Sequence, residues 1–216
     1  MNSMDGQKMQ EKEMKKMQTG TTTLGLVTDE GVVLAADNRA TIGHLKASKR
    51  AKKVFKLHDD IAMTIAGSVG DAQKIVRLMR AQINLYNIEN RDLSVKGAST
   101  LLSNVLNANK MMPYMNQFII GGTNPDNVLF DLDPLGGLMD HKKFTATGSG
   151  SQSAYGVLED RYEEDIPHEE GVKLAIRAVK AASERDTASG DGIDVVTITD
   201  EGYKELEEST VEDYLD

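Results

Sequence analysis

Apolar and polar residues follow two different periods along this chain, and the period changes several times. A β-branched stretch that begins at Thr21 and an apolar stretch over 32–36 flank the turn residues Asp29-Glu30-Gly31. This arrangement predicts a β-hairpin. Two more short apolar segments, at 53–57 and 61–66, also predict strands.

Helical spacing follows these strands. Apolar side chains recur every three or four residues after Asp71, a candidate N-cap, and again over 94–110, with Pro113 just beyond the predicted helix end. The two patterns then alternate in blocks along the remaining chain. Strands are predicted at 114–120, 128–132, 138–145 and 193–199, and helices at 153–162 and after Pro167 through Ala182.

The order of these elements indicates the fold class. Strands, two helices, strands, two helices and a final strand form segregated blocks, which are typical of α+β proteins and not of a strict βαβ alternation. Two antiparallel sheets packed face to face, with a helix pair on each outer side, would bury all the predicted apolar faces. The pattern therefore predicts a four-layer αββα sandwich.

The first 20 residues differ in composition from the rest of the chain. They contain no Val, Ile, Leu or aromatic residue, yet they hold five of the eleven Met. Such a segment cannot bury enough apolar surface to order itself. Because 216 residues exceed a typical domain of roughly 150, we expect a single domain over 21–216 that is preceded by this leader.

Charge and composition exclude several classes of protein. A net charge of -9 argues against a nucleic-acid partner, which would need a basic face. The chain has no Cys, which rules out disulfides and thiolate sites and suits a reducing, cytoplasmic location. No apolar run approaches the roughly 18 residues that span a membrane, so we expect no membrane partner.

Residues 200–216 hold eight acids and one Lys, which predicts a solvated C-terminal surface.

Most standard catalytic motifs are absent. The Gly-Ser turn at 148–151 is weak evidence for a phosphate site, and the spacing of Asp186, Asp191 and Asp194 matches no standard metal loop. We therefore expect neither a metal nor a cofactor.

The composition break itself suggests a different chemistry. If the leader were removed after Gly20, Thr21 would carry a hydroxyl beside a free α-amine, and such an amine can activate the hydroxyl as a nucleophile. The alternative, left open by composition, is that the leader is an ordinary disordered terminus and Thr21 merely starts a strand.

Nine separate segments of the chain together form a recognisable series. They are Thr19–Gly25, Ala36–Thr41, Lys52–Phe55, Met63–Gln73, Leu101–Asn104, Met112–Tyr114, Thr147–Ser151, Tyr155–Glu159 and Arg185–Gly190. In their order and spacing, these segments resemble the β subunits of archaeal proteasomes from residue 19 onward.

The resemblance implies an N-terminal-nucleophile hydrolase fold and a set of catalytic residues. Thr21 corresponds to the nucleophile and Lys53 to a lysine that favours the neutral form of its amine by like-charge repulsion. Asp37 corresponds to the acid that pairs with this lysine. Gly67 corresponds to the residue whose N–H faces the oxyanion, where a Gly would let substrate approach closely.

Further residues are implied in orientation and substrate binding. An outer polar set, which orients Thr21 and a water molecule, corresponds to Ser149, Asp186 and Ser189. Thr41, Gly67 and Val69 match positions along the strands that pair with an extended peptide. The first specificity pocket corresponds to Ala40, Ala51, Ile65 and Val69, whose apolar character predicts cleavage after hydrophobic residues. A purely structural role of these four in the core stays open.

The implied activity is that of a threonine endopeptidase of the proteasome core, activated when it cleaves its own Gly20–Thr21 bond. Residues 1–20 would be the propeptide and 21–216 the catalytic domain. The implied partners are α subunits, further copies in seven-membered rings, unfolded protein substrates and, through the α ring, an ATP-dependent unfoldase. Another N-terminal-nucleophile hydrolase or a non-catalytic ring subunit are the alternatives. The combination of Gly20, Thr21, Asp37 and Lys53 favours a catalytic β subunit.

Overall fold

Two five-stranded antiparallel sheets form the centre of the fold in the computed structural model, which describes residues 20–42, 45–89 and 93–215. The predicted leader, apart from Gly20, lies outside these ranges. The strands are β1 Thr22–Val27, β2 Gly31–Asp37, β3 Ala40–Ile42, β4 Leu45–Ser48, β5 Val54–Lys56, β6 Ile61–Gly67, β7 Asn116–Gly122, β8 Val128–Leu132, β9 Leu138–His141, β10 Phe144–Gly148, β11 Ile193–Thr199 and β12 Gly202–Glu205.

Five helices accompany the strands in the described ranges. They are α1 Val69–Ile88, α2 Val95–Ala108, α3 Ser151–Arg161, α4 His168–Arg185 and α5 Glu208–Asp213. The first sheet has the strand order β10-β1-β2-β11-β12, and the second has the order β5-β6-β7-β8-β9. Strands β3 and β4 pair with each other as a separate two-stranded hairpin.

Alternation along the central strands produces the layers. All seven residues of β2 are buried. Val33 and Ala35 belong to the core that packs against α3 and α4, whereas Leu34 and Ala36 belong to the core between the two sheets. In the second sheet, Met63 and neighbouring side chains pack in the core with α1 and α2. The predicted αββα sandwich is therefore confirmed.

The two sheets approach closely at two glycines. A Cβ atom at Gly121 would lie 2.7 Å from Leu129 Cδ2 and 2.9 Å from Val32 Cγ1, and one at Gly25 would lie 2.8 Å from both Leu129 Cδ2 and Leu34 Cδ2. Real Cβ atoms do not approach this closely, because non-bonded carbon atoms repel each other well inside their contact distance of about 3.5–4.0 Å. The absent side chains therefore allow the leucines of this layer to interdigitate.

One predicted strand proves to be two. The segment 138–145 was expected to form a single strand, but β9 pairs with β8 in the second sheet and β10 pairs with β1 in the first. The chain passes between the sheets at Lys142 and Lys143. Since apolar patterning records burial and not direction, it does not reveal where a chain changes sheets.

The start of α1 also differs from the prediction. The N-cap is Ser68, whose Oγ accepts a hydrogen bond from the Asp71 N–H. Asp71 lies in the first turn, where its charge favours the positive end of the helix dipole.

The acidic C-terminal region is more structured than expected. Strand β12 pairs with β11, and Val211 of α5 is 4% exposed within the core beside α4. The acids described in this region are exposed, as expected of a solvated surface, but the segment that carries them is also packed on the domain. A few apolar residues among many acids suffice to fix the segment to the domain. They are too widely spaced along the sequence to predict that this segment packs on the core. The β3–β4 hairpin was likewise not predicted.

The close approach of the sheets gives a stability prediction. Gly121→Ala should lower the free energy of unfolding by about 1–3 kcal/mol, because the added methyl group overpacks the layer between the sheets. Gly156→Ala is the matched control, since Gly156 is exposed on α3 and an added Cβ meets nothing within 4 Å. It should leave stability unchanged or raise it by up to about 1 kcal/mol. Urea unfolding of both variants measures this difference, and equal effects would contradict the packing argument.

Candidate active site

Thr21 lies immediately before β1 and is 3% exposed. The β1–β2 register pairs Thr23 with Ala36, so the start of β1 lies beside the end of β2, where Asp37 is located. The Thr21 hydroxyl donates a hydrogen bond of 3.0 Å to Asp37 Oδ1. The hairpin predicted from the sequence therefore brings the proposed nucleophile to an acidic residue.

Asp37 is fully buried and accepts five hydrogen bonds from the described residues. Its Oδ1 accepts from Thr21 Oγ1 at 3.0 Å, from the Thr22 N–H at 2.8 Å and from Lys53 Nζ at 2.7 Å. Its Oδ2 accepts from the N–H groups of Arg39 at 3.0 Å and Gly190 at 2.8 Å. A buried carboxylate needs such donors, because burial removes its hydration.

Lys53 approaches Asp37 from the start of β5. Lys53 is 8% exposed. Its backbone carbonyl accepts a hydrogen bond from the Ile65 N–H, which ties this residue to β6. Burial lowers the pKa of the Lys53 ammonium, and the attraction of Asp37 opposes this shift. Loss of a proton from Lys53 is therefore easier here than in water, while the ion pair holds Nζ on the same Asp37 oxygen that accepts from the Thr21 hydroxyl.

A second group of hydrogen-bonded polar side chains contacts the backbone of Thr21. Its backbone N–H donates to Ser149 Oγ at 3.1 Å, and Ser149 Oγ donates to Asp186 Oδ2 at 2.5 Å. Ser189 Oγ donates to the same Asp186 oxygen at 2.7 Å and lies 2.7 Å from Thr22 Oγ1. The three residues predicted as an outer polar set thus form one hydrogen-bonded group, which begins at the Thr21 nitrogen.

Gly20 is held closely on the N-terminal side of Thr21. Its N–H donates to Thr41 Oγ1 at 3.1 Å. A Cβ atom at Gly20 would lie 1.9 Å from the Ala188 Cβ and 3.0 Å from Ser149 Oγ. The structure therefore leaves no room for a side chain at the residue before Thr21.

Gly67 lies at the end of β6, opposite Asn116 of β7. Its φ of 138° is rarely adopted by residues with a side chain, and an added Cβ would lie 2.1 Å from the Met115 carbonyl oxygen. The sequence interpretation explained this Gly by the approach of substrate. The structure gives a second reason, which is the tight passage of the chain from β6 into α1.

The residues predicted for the specificity pocket have different environments. Ala40 and Ala51 are half-buried. Val69 is 53% exposed at the start of α1 and not on a strand as expected, because β6 ends at Gly67 and Ser68 caps the helix. Ile65 is 4% exposed and packs in the core of the second sheet with α1 and α2. These are the contacts of a core residue, so the pocket role of Ile65 stays a prediction. Thr41 is buried and contacts Gly20.

Several residues of this site were not singled out from the sequence. The hydroxyl of Thr22 joins the Ser189 group, the Arg39 N–H binds Asp37, and the Ala188 methyl group faces Gly20. Thr22 and Arg39 fall within segments of the family resemblance. Ala188 also falls within such a segment, but its steric contact with Gly20 joins distant parts of the chain, and hydrophobic patterning carries no signal for it.

The aspartates that suggested a metal loop have other partners. Asp186 accepts from Ser149 and Ser189, and Asp191 accepts from Arg39 and Lys46. Within 20–42, 45–89 and 93–215, no group of three or more His, Cys, Asp or Glu side chains is arranged to hold a metal ion. Over the same ranges, no helix has the length and apolar character needed to cross a membrane.

The fold and this site define an αββα sandwich with a buried threonine, aspartate and lysine at the start of its first strand. A family model described as proteasome subunit matches residues 17–198, and the chain belongs to that family.

Similar proteins from archaea cover nearly the whole chain. The sequence is 53% identical over 199 residues to the proteasome subunit beta of Methanocaldococcus fervens, which covers 91% of this chain and 89% of that protein. It is 52% identical over 194 residues to the proteasome subunit beta of Methanosarcina mazei, with coverage of 89% and 92%. The protein of the same name from Methanopyrus kandleri is 50% identical over 209 residues, with coverage of 94% and 99%.

The buried ion pair at this site gives a second stability prediction. Lys53→Met should lower the free energy of unfolding by about 3 kcal/mol or more, because it leaves the Asp37 carboxylate buried without its cation. Lys52→Met is the matched control, since the neighbouring Lys52 pairs with Glu205 at the surface, where the side chains are 51% and 53% exposed. Its cost should be within about 1 kcal/mol. Urea unfolding of the isolated chain compares the two, and a Lys53 effect as small as that of Lys52 would show that Asp37 does not depend on the ion pair.

Proposed function

We propose that this chain is a catalytic β subunit of a proteasome core particle and acts as a threonine endopeptidase. The observation that carries the proposal is the position of Thr21 Oγ1, which lies 3.0 Å from a buried Asp37 oxygen that also binds Lys53 Nζ at 2.7 Å. The names of the archaeal relatives support the same assignment. Residues 1–20 are the propeptide, and 21–216 form the catalytic domain.

The first step of peptide hydrolysis uses the Thr21 hydroxyl and its freed amine. Such an amine has an ordinary pKa of about 7.7–8.0, so it can accept a proton near neutral pH. The positive charge of Lys53 close to this amine favours its neutral form. As the proton leaves Oγ1, the oxygen attacks the scissile carbonyl, and the Gly67 N–H stabilises the negative charge on the carbonyl oxygen.

The tetrahedral intermediate then breaks down to an ester. The C–N bond of the substrate breaks, the leaving nitrogen takes the proton from the Thr21 amine, and the acyl group stays on Oγ1. A water molecule, deprotonated by the same amine, hydrolyses the ester. Ser149, Asp186 and Ser189 orient the amine and this water through their shared hydrogen bonds.

The same nucleophile removes the propeptide. Thr21 Oγ1 loses its proton and attacks the Gly20 carbonyl carbon, the Gly20–Thr21 C–N bond breaks as the released nitrogen takes up a proton, and the acyl group has then moved from nitrogen to oxygen. Hydrolysis of this ester releases residues 1–20 and leaves Thr21 with a free amine. Before cleavage the Thr21 nitrogen is an amide and not a base, so the precursor is inactive. At this stage Thr21 Oγ1 donates its hydrogen bond to Asp37, and Lys53 binds the same Asp37 oxygen.

The substrates are unfolded proteins, which pair as extended peptides with backbone at Thr41, Gly67 and Val69. Ala40, Ala51, Ile65 and Val69 form the first pocket and favour cleavage after hydrophobic residues. Enclosure of the site replaces sequence recognition as the protection against unwanted cleavage. The enzyme needs no cofactor and works in the cytoplasm.

Assembly provides that enclosure. The chain forms seven-membered rings with its own copies, and α subunits close the ends and receive substrate from an ATP-dependent unfoldase. Large apolar side chains at the surface, two of them adjacent along the chain, support subunit contacts, because such contacts would remove them from water. They include Met111 at 89%, Met112 at 86% and Met139 at 61% exposure.

Replacement of the nucleophile tests the proposed function. Thr21→Ala should keep residues 1–20 attached and abolish peptide hydrolysis, because no hydroxyl remains to attack either carbonyl. Thr100→Ala, on the exposed face of α2, is the control and should be processed normally. Intact mass after mixing with the α partner measures processing, and a fluorogenic peptide measures hydrolysis. A processed or active Thr21→Ala protein would overturn the proposal.

The contact between Gly20 and Ala188 gives a further test. Gly20→Ala should slow removal of the leader about tenfold or more, because its methyl group would meet the Ala188 methyl group at 1.9 Å. Ala188→Gly removes that obstacle, so the double variant Gly20→Ala/Ala188→Gly should recover part of the lost rate. Time courses of intact mass compare the variants. A Gly20→Ala chain that matures at the normal rate would contradict the steric argument.

A further inference from the structure

The β3–β4 hairpin lies beside the residue whose carbonyl carbon is attacked during self-cleavage. Thr41 of β3 accepts a hydrogen bond from the Gly20 N–H, and Gly20 occupies the position just before the bond that would be cleaved. The two strands pair with each other and with neither five-stranded sheet. Leu45, Lys46 and Ala47 of β4 are exposed. The position of this hairpin therefore depends on contacts other than strand pairing with the two main sheets.

One such contact leads to Asp191, in the loop after α4. Lys46 Nζ on β4 donates to Asp191 Oδ1 at 2.9 Å, and Arg39 Nε, which precedes β3, donates to Asp191 Oδ2 at 2.7 Å. Each carboxylate oxygen thus binds a different cation, and the two cations lie on either side of β3 along the chain. The Arg39 and Asp191 side chains are 19% and 15% exposed, so this ion pair is partly shielded from water.

The backbone at Asp191 has an unusual conformation. Its φ is 63°, and the flanking Gly190 and Gly192 have φ values of 140° and 119°. In the described ranges, Asp165 is the other residue with a side chain that has a positive φ. A side chain in this region costs free energy compared with glycine. An aspartate between two glycines is therefore placed there at a cost that its two ion pairs can offset.

The Arg39 branch also reaches the buried carboxylate of the active site. Arg39 NH1 donates to the Thr187 carbonyl oxygen at 2.7 Å, while the N–H groups of Arg39 and Gly190 both donate to Asp37 Oδ2. Two short paths thus join Asp191 to Asp37. One runs through Arg39, which binds both carboxylates, and the other through Gly190, which precedes Asp191 in the chain. The Lys46 branch contacts the hairpin without touching Asp37, which allows the two effects to be separated.

We propose that Asp191 is a positioning residue that clamps the β3–β4 hairpin to the loop of Asp186 and Ser189, and so sets how tightly an extended peptide is held. This inference rests on the proposed function, since it concerns the peptide that the endopeptidase binds. The hydrogen bonds of Arg39 and Lys46 hold the pKa of the Asp191 carboxyl well below its usual range. The clamp is therefore charged at neutral pH.

The clamp is tested by a substitution that removes the charge of Asp191 but keeps a residue type that tolerates a positive φ. Asp191→Asn keeps a residue that tolerates positive φ but loses both ion pairs. In the assembled, processed enzyme, KM for a fluorogenic peptide with an apolar residue before the scissile amide should rise about fivefold. The value of kcat should change less than about twofold, because Asp37 keeps its backbone donors.

Asp165→Asn is the matched control. Asp165 has nearly the same φ, at 56°, and is exposed on the loop between α3 and α4. It should leave both KM and kcat unchanged. If Asp191→Asn lowers kcat and leaves KM unchanged, or behaves like Asp165→Asn, the clamp as proposed is wrong.

A second variant tests the hairpin branch alone. Lys46→Gln should also raise KM. The double variant Asp191→Asn/Lys46→Gln should have no higher KM than Asp191→Asn, because Asp191→Asn already removes the ion pair that Lys46→Gln breaks. An additive effect would contradict a shared clamp.

Amide hydrogen exchange gives a readout that does not need catalysis. In the full chain, Asp191→Asn and Lys46→Gln should speed exchange at β3 and β4, whereas Asp165→Asn should not. If the unaltered assembled protein proves inactive, the proposed function fails while this measurement still decides the clamp. If the unaltered enzyme is active and exchange at the hairpin is the same in all variants, the clamp fails alone.

Discussion

The buried carboxylate of Asp37 is the constraint on which the rest of this site depends. It is fully buried and takes donors from the start of β1, the approach to β3, the start of β5 and the loop after α4. A carboxylate removed from water is tolerated only when donors replace its hydration. The four segments must therefore meet at one point, which ties the geometry around Thr21 to the integrity of the sandwich.

The sandwich supplies the edge at which these segments meet. Strand β1 begins where β2 ends, and the glycines Gly67 and Gly148, with φ values of 138° and 92°, let β6 and β10 end close by and turn into helices. Thr21 thus lies immediately before a central strand, while the Ser149 and Ser189 hydroxyls near it come from the turn after β10 and the loop after α4. This division suits the proposed function, in which one site holds its own precursor bond and later a substrate in the same place.

Some parts of the fold were predictable because they depend on local patterns. The helix periods of α2 and α4 and the alternation in the β1–β2 hairpin are strong, and the structure has helices and strands in these places. The change of sheet between β9 and β10 and the folding of 200–215 onto the core were not predictable. They depend on contacts with distant strands, which leave little trace in the hydrophobic period.

The sequence by itself determined the order of the blocks, the change in composition at residue 20 and, through family resemblance, the identities of Thr21, Asp37 and Lys53 as a group. Only the tertiary structure decided how these groups are supported. The Gly190 N–H that binds Asp37 is 153 residues away along the chain, and the Ser149 hydroxyl that meets the Thr21 nitrogen is 128 residues away. Such contacts, like that of Asp191 with Lys46, exist because the folded sheets and loops bring distant segments together. Hydrogen bonds and steric contacts act over a few ångströms in space, and sequence separation does not reveal them.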